Sequence, residues 1–136
     1  VGHGGGSFSF KTARTMMANG FYPDTISSDI HTVCIDGPAF DQVTTLSKFL
    51  CLGMDLKDVI AASTVNCGTA LQRPEYGSLR VGALGDATII SVKKGSFDYV
   101  DVLGEHLIGD RKIISEGVVL KGSMWHPRDN KFKKLA

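Results

Sequence analysis

Two stretches near the start of the chain decide the predicted fold: VGHGGGSFSF at residues 1–10 and PDTISSDIH at residues 23–31. Val1-Gly2-His3 is typical of the end of a strand that runs into a glycine loop. Thr25–Ser28 is short and starts with β-branched residues, as a buried strand does. With a helix between them, the two strands predict a right-handed βαβ unit whose strands are parallel neighbours.

Helices are predicted in the first 75 residues from caps, glycine stops and apolar spacing. Ser7 is placed to cap the first helix, which covers residues 8–19. The second helix covers residues 45–52, and the third runs over residues 55–71 with Asp55 as its cap. This part of the chain is therefore predicted to be α/β.

The sequence changes character after the first 75 residues, where short apolar runs alternate with glycine turns and predict strands. Ile113–Ser115 and Val118–Leu120 flank Glu116-Gly117, a two-residue connection that predicts a β-hairpin. We therefore expect an α/β part at residues 1–75 and an all-β part at residues 76–136.

Length and composition exclude several classes of protein. The chain has 136 residues, whereas a complete (β/α)8 barrel needs about 250. A net charge of +1 argues against a general nucleic-acid binder, and no apolar run approaches the roughly 20 residues of a membrane span. Three cysteines without a CxxC pair, and no signal peptide, predict reduced thiols and a cytoplasmic location.

Candidate functional residues follow the two predicted strands. Catalytic groups of α/β proteins lie beyond the carboxyl ends of strands, where His3 and Asp29 stand. Histidine and aspartate are residue types that bind metals or move protons. His31 lies two residues beyond Asp29 and would point to the same face, while Gly4 and Gly5 leave room for a substrate.

Other interpretations of these residues stay open from the sequence alone. Asp29 could be an ordinary loop or capping residue, and either histidine could be a packing residue. The Gly4–Ser7 loop could bind an anion through its backbone N–H groups, although it lacks the spacing of a known phosphate-binding motif.

Four segments, spread over residues 1–90, resemble one protein family. The segments at residues 1–10 and 23–31 resemble the strand-seven and strand-eight motifs of dihydroorotase-like amidohydrolases of the deacetylase type. GPAFDQVTTLSKFL at residues 37–50 is similar to the segment that leads into their eighth helix. GSLRVGALGDATII at residues 77–90 resembles the return of their chain to a small β-sandwich.

The resemblance implies the C-terminal part of a (β/α)8 barrel, namely strands 7 and 8 with their helices, followed by part of a β-sandwich domain. It implies a zinc-dependent hydrolase of C–N bonds other than peptide bonds, with one or two zinc ions. Asp29 would be both a metal ligand and the catalytic general base. His3, Gly4, Gly5 and His31 would contact the substrate. The other metal ligands of the family precede strand seven and are expected upstream of Val1.

We therefore expect a metal-dependent amidohydrolase or deacetylase that cleaves an amide, or a related ester, of a small acylated or cyclic-amide substrate. This chain alone is expected to be inactive, with the missing N-terminal part of the barrel as its main partner. A homo-oligomer is expected, with no nucleic-acid or membrane partner. The alternative is a non-catalytic α/β plus β module that binds a partner protein or a small anion.

Overall fold

The computed structural model describes residues 1–126 and 131–134. Within these residues, four helices come first and four strands follow. The helices are α1 (Phe10–Ala18), α2 (Gln42–Cys51), α3 (Leu56–Ser63) and α4 (Val65–Ala70), with a 3-10 turn at Thr32–Cys34 between α1 and α2. The strands are β1 (Ala87–Val100), β2 (His106–Leu120), β3 (Ser123–His126) and β4 (Lys131–Lys134).

The two predicted strands at the start of the chain are parallel neighbours. Gly2 and Ser27 form a parallel bridge. The His3 N–H donates to the Ser27 carbonyl at 3.1 Å, and the Ser27 N–H donates to the Val1 carbonyl at 2.8 Å. The pairing is shorter than predicted, since it is a single bridge rather than a pair of extended strands.

Helix α1 begins two residues later than predicted, and Ser9 is its N-cap. The Ser9 hydroxyl accepts a hydrogen bond from the Thr12 N–H at 3.2 Å. The prediction that Ser7 caps this helix is wrong, because residues 3–7 form a turn in which the Ser7 N–H donates to the His3 carbonyl at 3.2 Å.

The helix predicted over residues 55–71 is two helices. The backbone leaves the helical region at Thr64, with φ −132° and ψ −95°, which separates α3 from α4. The Thr64 hydroxyl donates to the Ile60 carbonyl at 2.7 Å, a local bond that competes with the helical ladder. Asp55 occupies the N-cap position of α3 as predicted, but its side chain makes no capping hydrogen bond.

The four strands form one antiparallel sheet in the order β1-β2-β3-β4. The hairpin predicted at Glu116-Gly117 is wrong, because β2 runs straight through these residues. Ile89 pairs with Gly117 and Ile90 with Ser115, so Glu116 is the extra residue of a β-bulge. The chain instead reverses at Lys121-Gly122, where both residues have the positive φ (50° and 72°) that a tight hairpin turn requires.

The observed architecture is α/β with an antiparallel sheet, which confirms the predicted class at this level. Among residues 1–126 and 131–134 a single sheet is present, and the strands of the N-terminal part are reduced to the bridge between Gly2 and Ser27.

One hydrophobic core joins the helical part to the sheet. It contains residues from both, and α2 packs against β2 across it. Phe8 and Phe10 are buried there, with the Phe8 ring centroid 5.1 Å from that of Phe49. The buried members are Phe8, Phe10, Ile26, Leu46, Phe49, Leu50, Met54, Val59, Ala62, Tyr99 and Ile113.

In the described part of the chain, every helix is too short or too polar to cross a membrane.

Candidate functional site

Asp29 lies exposed at the end of the parallel bridge, on backbone in the left-handed region with φ 51°. Its side chain lies against two glycines of the first segment. A Cβ built on Gly2 would lie 3.0 Å from the Asp29 Cβ, and one built on Gly4 would lie 3.0 Å from its Oδ2. The glycines therefore make room for this carboxylate, which a side chain at either position would displace.

Gly4 and Gly5 form the loop beside Asp29. Gly4 is buried, has φ 49°, and donates its N–H to the Ser28 carbonyl at 2.9 Å. Gly5 is exposed, and a Cβ on it would lie 3.2 Å from the Cβ of Cys34. The structure thus brings three predicted site residues, Asp29, Gly4 and Gly5, to one edge of the molecule.

Two of the four backbone N–H groups of the same loop are already bonded and are not available to an anion. The Gly4 N–H is bonded to Ser28, and the Ser7 N–H donates to the His3 carbonyl at 3.2 Å. Both ends of the Gly4–Ser7 loop are therefore already satisfied by backbone carbonyls.

His31 is exposed and caps the 3-10 turn. Its Nδ1 accepts a hydrogen bond from the Val33 N–H at 3.3 Å. Its own backbone N–H donates to the Cys34 sulfur at 3.3 Å, and that sulfur lies 3.7 Å from the Asp29 carbonyl oxygen. His31 is therefore tied to the Asp29 segment through Cys34, a residue that the sequence analysis did not single out.

His3 points away from this edge and is fully buried. Its Nδ1 lies 2.9 Å from the Gly4 carbonyl oxygen, and its Nε2 lies 2.7 Å from the Nζ of Lys48. The ring stacks on Phe8 with 4.7 Å between centroids. Both ring nitrogens are thus engaged by groups of the chain itself.

Lys48 is the functional candidate that the sequence does not reveal. It lies on α2 with 1% of its surface exposed, among the apolar neighbours Leu46, Phe49 and Leu50. Besides His3 Nε2, its ammonium donates to the carbonyls of Pro38 at 2.8 Å and Val100 at 2.7 Å. Burial lowers the pKa of Lys48 from 10.5 to about 8, partly opposed by the negative charge of Asp101.

The ammonium of Lys48 fixes the protonation state and the tautomer of the His3 side chain. Burial lowers the pKa of His3, and the charge of Lys48 lowers it further, although the hydrogen bond to Gly4 acts in the opposite direction. An ammonium only donates, so Nε2 must accept. His3 is therefore neutral, with its proton on Nδ1 and donated to Gly4.

Asp101 is the second buried ionised group and lies in the turn between β1 and β2. Its Oδ2 accepts from the Phe10 N–H at 2.8 Å, at the first residue of α1. Its Oδ1 accepts from the N–H groups of Leu103 at 2.8 Å and Glu105 at 2.9 Å. Burial alone would raise the pKa of Asp101, but these three hydrogen bonds bring it below its usual range.

A complete zinc site needs three or four protein ligands. Within the part of the chain that the structure describes, no three His, Cys, Asp or Glu side chains are grouped to hold a metal ion. The exposed Asp29 carboxylate fits one position of such a site, and His3 offers no open nitrogen. Any zinc at this edge therefore requires ligands from outside these residues.

An apolar cavity of about 460 Å³ lies elsewhere, along α1. Its lining includes Phe8, Met16, Met17 and Tyr22, and none of the predicted site residues. It is therefore separate from the edge that carries Asp29.

Comparison with known proteins identifies relatives of this chain. No protein-family model matches it. A deacetylase of Agrobacterium fabrum is 31% identical over 136 residues, covering 96% of this chain and 33% of the relative. A deacetylase of Brucella anthropi is 32% identical over 136 residues, covering 96% and 34%. Among solved structures, an adenine deaminase matches with a TM-score of 0.88 at 26% identity. A dihydroorotase matches with a TM-score of 0.84 at 30% identity, and each covers 91% of this chain and 34% of the other.

The chain resembles the C-terminal part of amidohydrolase-superfamily proteins. This confirms the family predicted from the strand-seven and strand-eight motifs, and the relatives support a C-terminal portion of such a protein. The chain spans about a third of the length of the amidohydrolase relatives it matches.

Proposed function

We propose that this chain is the C-terminal part of a zinc-dependent hydrolase. The enzyme would cleave a C–N amide bond, or a related ester, of a small acylated or cyclic-amide substrate. Support for hydrolysis comes from relatives named deacetylase, adenine deaminase and dihydroorotase. Residues 1–75 would be strands 7 and 8 of a (β/α)8 barrel with their helices, and residues 76–136 part of a β-sandwich domain. The remaining barrel strands and zinc ligands would come from the rest of the polypeptide.

One observation carries the proposal: Asp29 holds an exposed carboxylate on left-handed backbone at a strand end, with glycines making room for it. Left-handed backbone is uncommon for residues other than glycine and is concentrated at functional sites. A carboxylate held this way can bind a metal and accept a proton, as hydrolysis requires.

In the proposed reaction Asp29 is a zinc ligand and the general base. Zinc, when bound, supplies a water whose pKa is lowered toward about 7. The Asp29 carboxylate takes the proton of the attacking water and delivers it to the leaving nitrogen, so that the amine departs neutral. The exposed Gly5 and His31 would contact the substrate beside Asp29. The buried Gly4 would shape the floor of the site. His3, which the sequence predicted to contact the substrate, is buried and would act only through its contact with Gly4.

A cytoplasmic location is also proposed. It is supported by the three cysteines, Cys34, Cys51 and Cys67, which are all free thiols. Free thiols are typical of proteins in reducing compartments.

Substitution of Asp29 in the complete polypeptide tests the function. Asp29→Asn keeps the shape of the side chain but removes the proton acceptor, so kcat is expected to fall at least about 100-fold. Asp24→Asn, an exposed change five residues earlier, is the matched control and should leave kcat unchanged. Zinc-loaded protein would be assayed against N-acetyl amino acids, cyclic amides and acetyl esters. Full turnover by Asp29→Asn, or no hydrolysis of any of the three classes by the wild type, would contradict the proposal.

A further inference from the structure

The buried Lys48 ammonium holds together three separate segments of the chain. It donates to His3 Nε2 beside the glycine loop at 2.7 Å, to the Pro38 carbonyl before α2 at 2.8 Å, and to the Val100 carbonyl at the end of β1 at 2.7 Å. An ammonium has three N–H donors, and each of them has an acceptor here.

The contact with His3 continues to Asp29 in two short steps. His3 donates its Nδ1 proton to the Gly4 carbonyl at 2.9 Å. The Gly4 peptide is fixed from its other side by its N–H bond to Ser28 at 2.9 Å. Its Cα faces the carboxylate so closely that a Cβ there would lie 3.0 Å from Asp29 Oδ2. Lys48, His3, Gly4 and Asp29 thus form one continuous series of contacts from the interior to the exposed edge.

We propose that Lys48 is a positioning residue for the reaction: by fixing the tautomer and orientation of His3, it holds the Gly4 peptide against the Asp29 carboxylate. This inference rests on the proposed function, which gives Asp29 its part in the chemistry.

A lysine is suited to this role because it never accepts a hydrogen bond when protonated. It forces Nε2 of His3 to be the acceptor and therefore Nδ1 to be the donor toward Gly4. Without Lys48 the imidazole could place its proton on Nε2, and Nδ1 would then face the Gly4 carbonyl as a second acceptor. A buried ion of this kind is often no more stabilising than an apolar side chain of similar volume, so its orienting effect explains its presence better than stability does.

Three variants of the complete polypeptide test the proposal: Lys48→Met, His3→Leu and the double variant. Lys57→Met is the matched control, because Lys57 is an exposed lysine on the neighbouring helix α3. Each single variant is expected to lower kcat and zinc affinity by about 10- to 100-fold, as the loss of groups that orient a metal ligand does. The double variant should be no worse than the poorer single variant, because both changes break the same series of contacts.

A readout at the loop separates positioning from general loss of stability. Hydrogen exchange at the Gly4 N–H, which is bonded to Ser28, should accelerate in both single variants more than at the Ile26 N–H, which is bonded to Ala62. Folded variants with wild-type kcat, zinc affinity and Gly4 exchange would overturn the proposal. Additive losses in the double variant would overturn it as well.

The wild type provides a test that does not depend on any variant folding. With ¹⁵N-labelled histidine, NMR at pH 6 should show His3 neutral with its proton on Nδ1. A proton on Nε2 would overturn the proposal. Failure of this inference is distinguishable from failure of the proposed function: an inactive Asp29→Asn with an unaffected Lys48→Met rejects only the positioning role. An active Asp29→Asn rejects the function itself.

Discussion

Charged side chains near the Gly4 peptide fall into two groups that differ in burial and in hydrogen bonding. On one side Asp29 is exposed, and its backbone adopts φ 51°. On the other side Lys48 and Asp101 are almost completely buried, and each makes three hydrogen bonds. A buried charged group needs hydrogen-bond partners from the protein, whereas an exposed carboxylate can be hydrated by water.

This difference indicates that the buried and the exposed charged groups have different roles. A group whose hydrogen-bonding capacity is filled by the protein holds its neighbours in place. A group that the protein leaves exposed at a strand end is available to a metal and a substrate. Removing the Asp101 charge should therefore lower stability, while changes at Asp29 should lower activity with little effect on stability.

The largest effect on stability is expected from Asp101→Asn. The asparagine amide offers one acceptor oxygen where the carboxylate offers two, so it cannot satisfy the N–H groups of Phe10, Leu103 and Glu105 together. The free energy of unfolding should fall by about 3 kcal/mol, since hydrogen bonds to charged groups contribute about 1.5–3 kcal/mol each. Urea unfolding of the complete polypeptide measures this.

Asp29→Asn is the control for the same measurement, and its unfolding free energy should stay within about 0.5 kcal/mol of the wild type, as for other exposed positions. Equal stability losses at Asp29 and Asp101 would remove the contrast between the two environments.

A smaller effect is expected from pH. Burial lowers the pKa of His3, and the nearby Lys48 adds to the shift, while the Gly4 hydrogen bond and Asp101 oppose it. Below about pH 6.5 the unfolded chain therefore binds a proton that the folded protein does not bind, so stability falls as the pH falls. Between pH 8 and pH 6 this loss is at most about 1 kcal/mol. The difference in unfolding free energy between wild type and His3→Leu should change with pH in this range, and a constant difference would show that folding does not lower the pKa of His3.

The placement of Asp29, Gly4 and Gly5 at one edge of the molecule could be predicted because it depends on local patterns. The β-branched Thr25, the glycines of the first loop and the position of Asp29 after a strand are all visible without knowledge of distant contacts. The parallel pairing of Gly2 with Ser27 then follows from the short connection between them.

The buried side could not be predicted from local patterns. A lysine on a helix is normally solvent-exposed. Lys48 is buried because distant segments of the chain fold over it and place the Pro38 and Val100 carbonyls where its ammonium can donate hydrogen bonds to them. The false hairpin at Glu116-Gly117 has a similar cause. A two-residue stretch ending in glycine is typical of a turn, but pairing with Ile89 and Ile90 in β1 turns it into a bulge.

A crystal structure of the complete polypeptide loaded with zinc tests the division between the two sides most directly. We expect an Asp29 oxygen about 2.0–2.2 Å from a zinc ion, while His3 Nε2 stays bonded to Lys48 Nζ in the interior. Zinc bound through a nitrogen of His3, or held with the Asp29 carboxylate turned away from it, would contradict the separate roles proposed for Asp29 and Lys48.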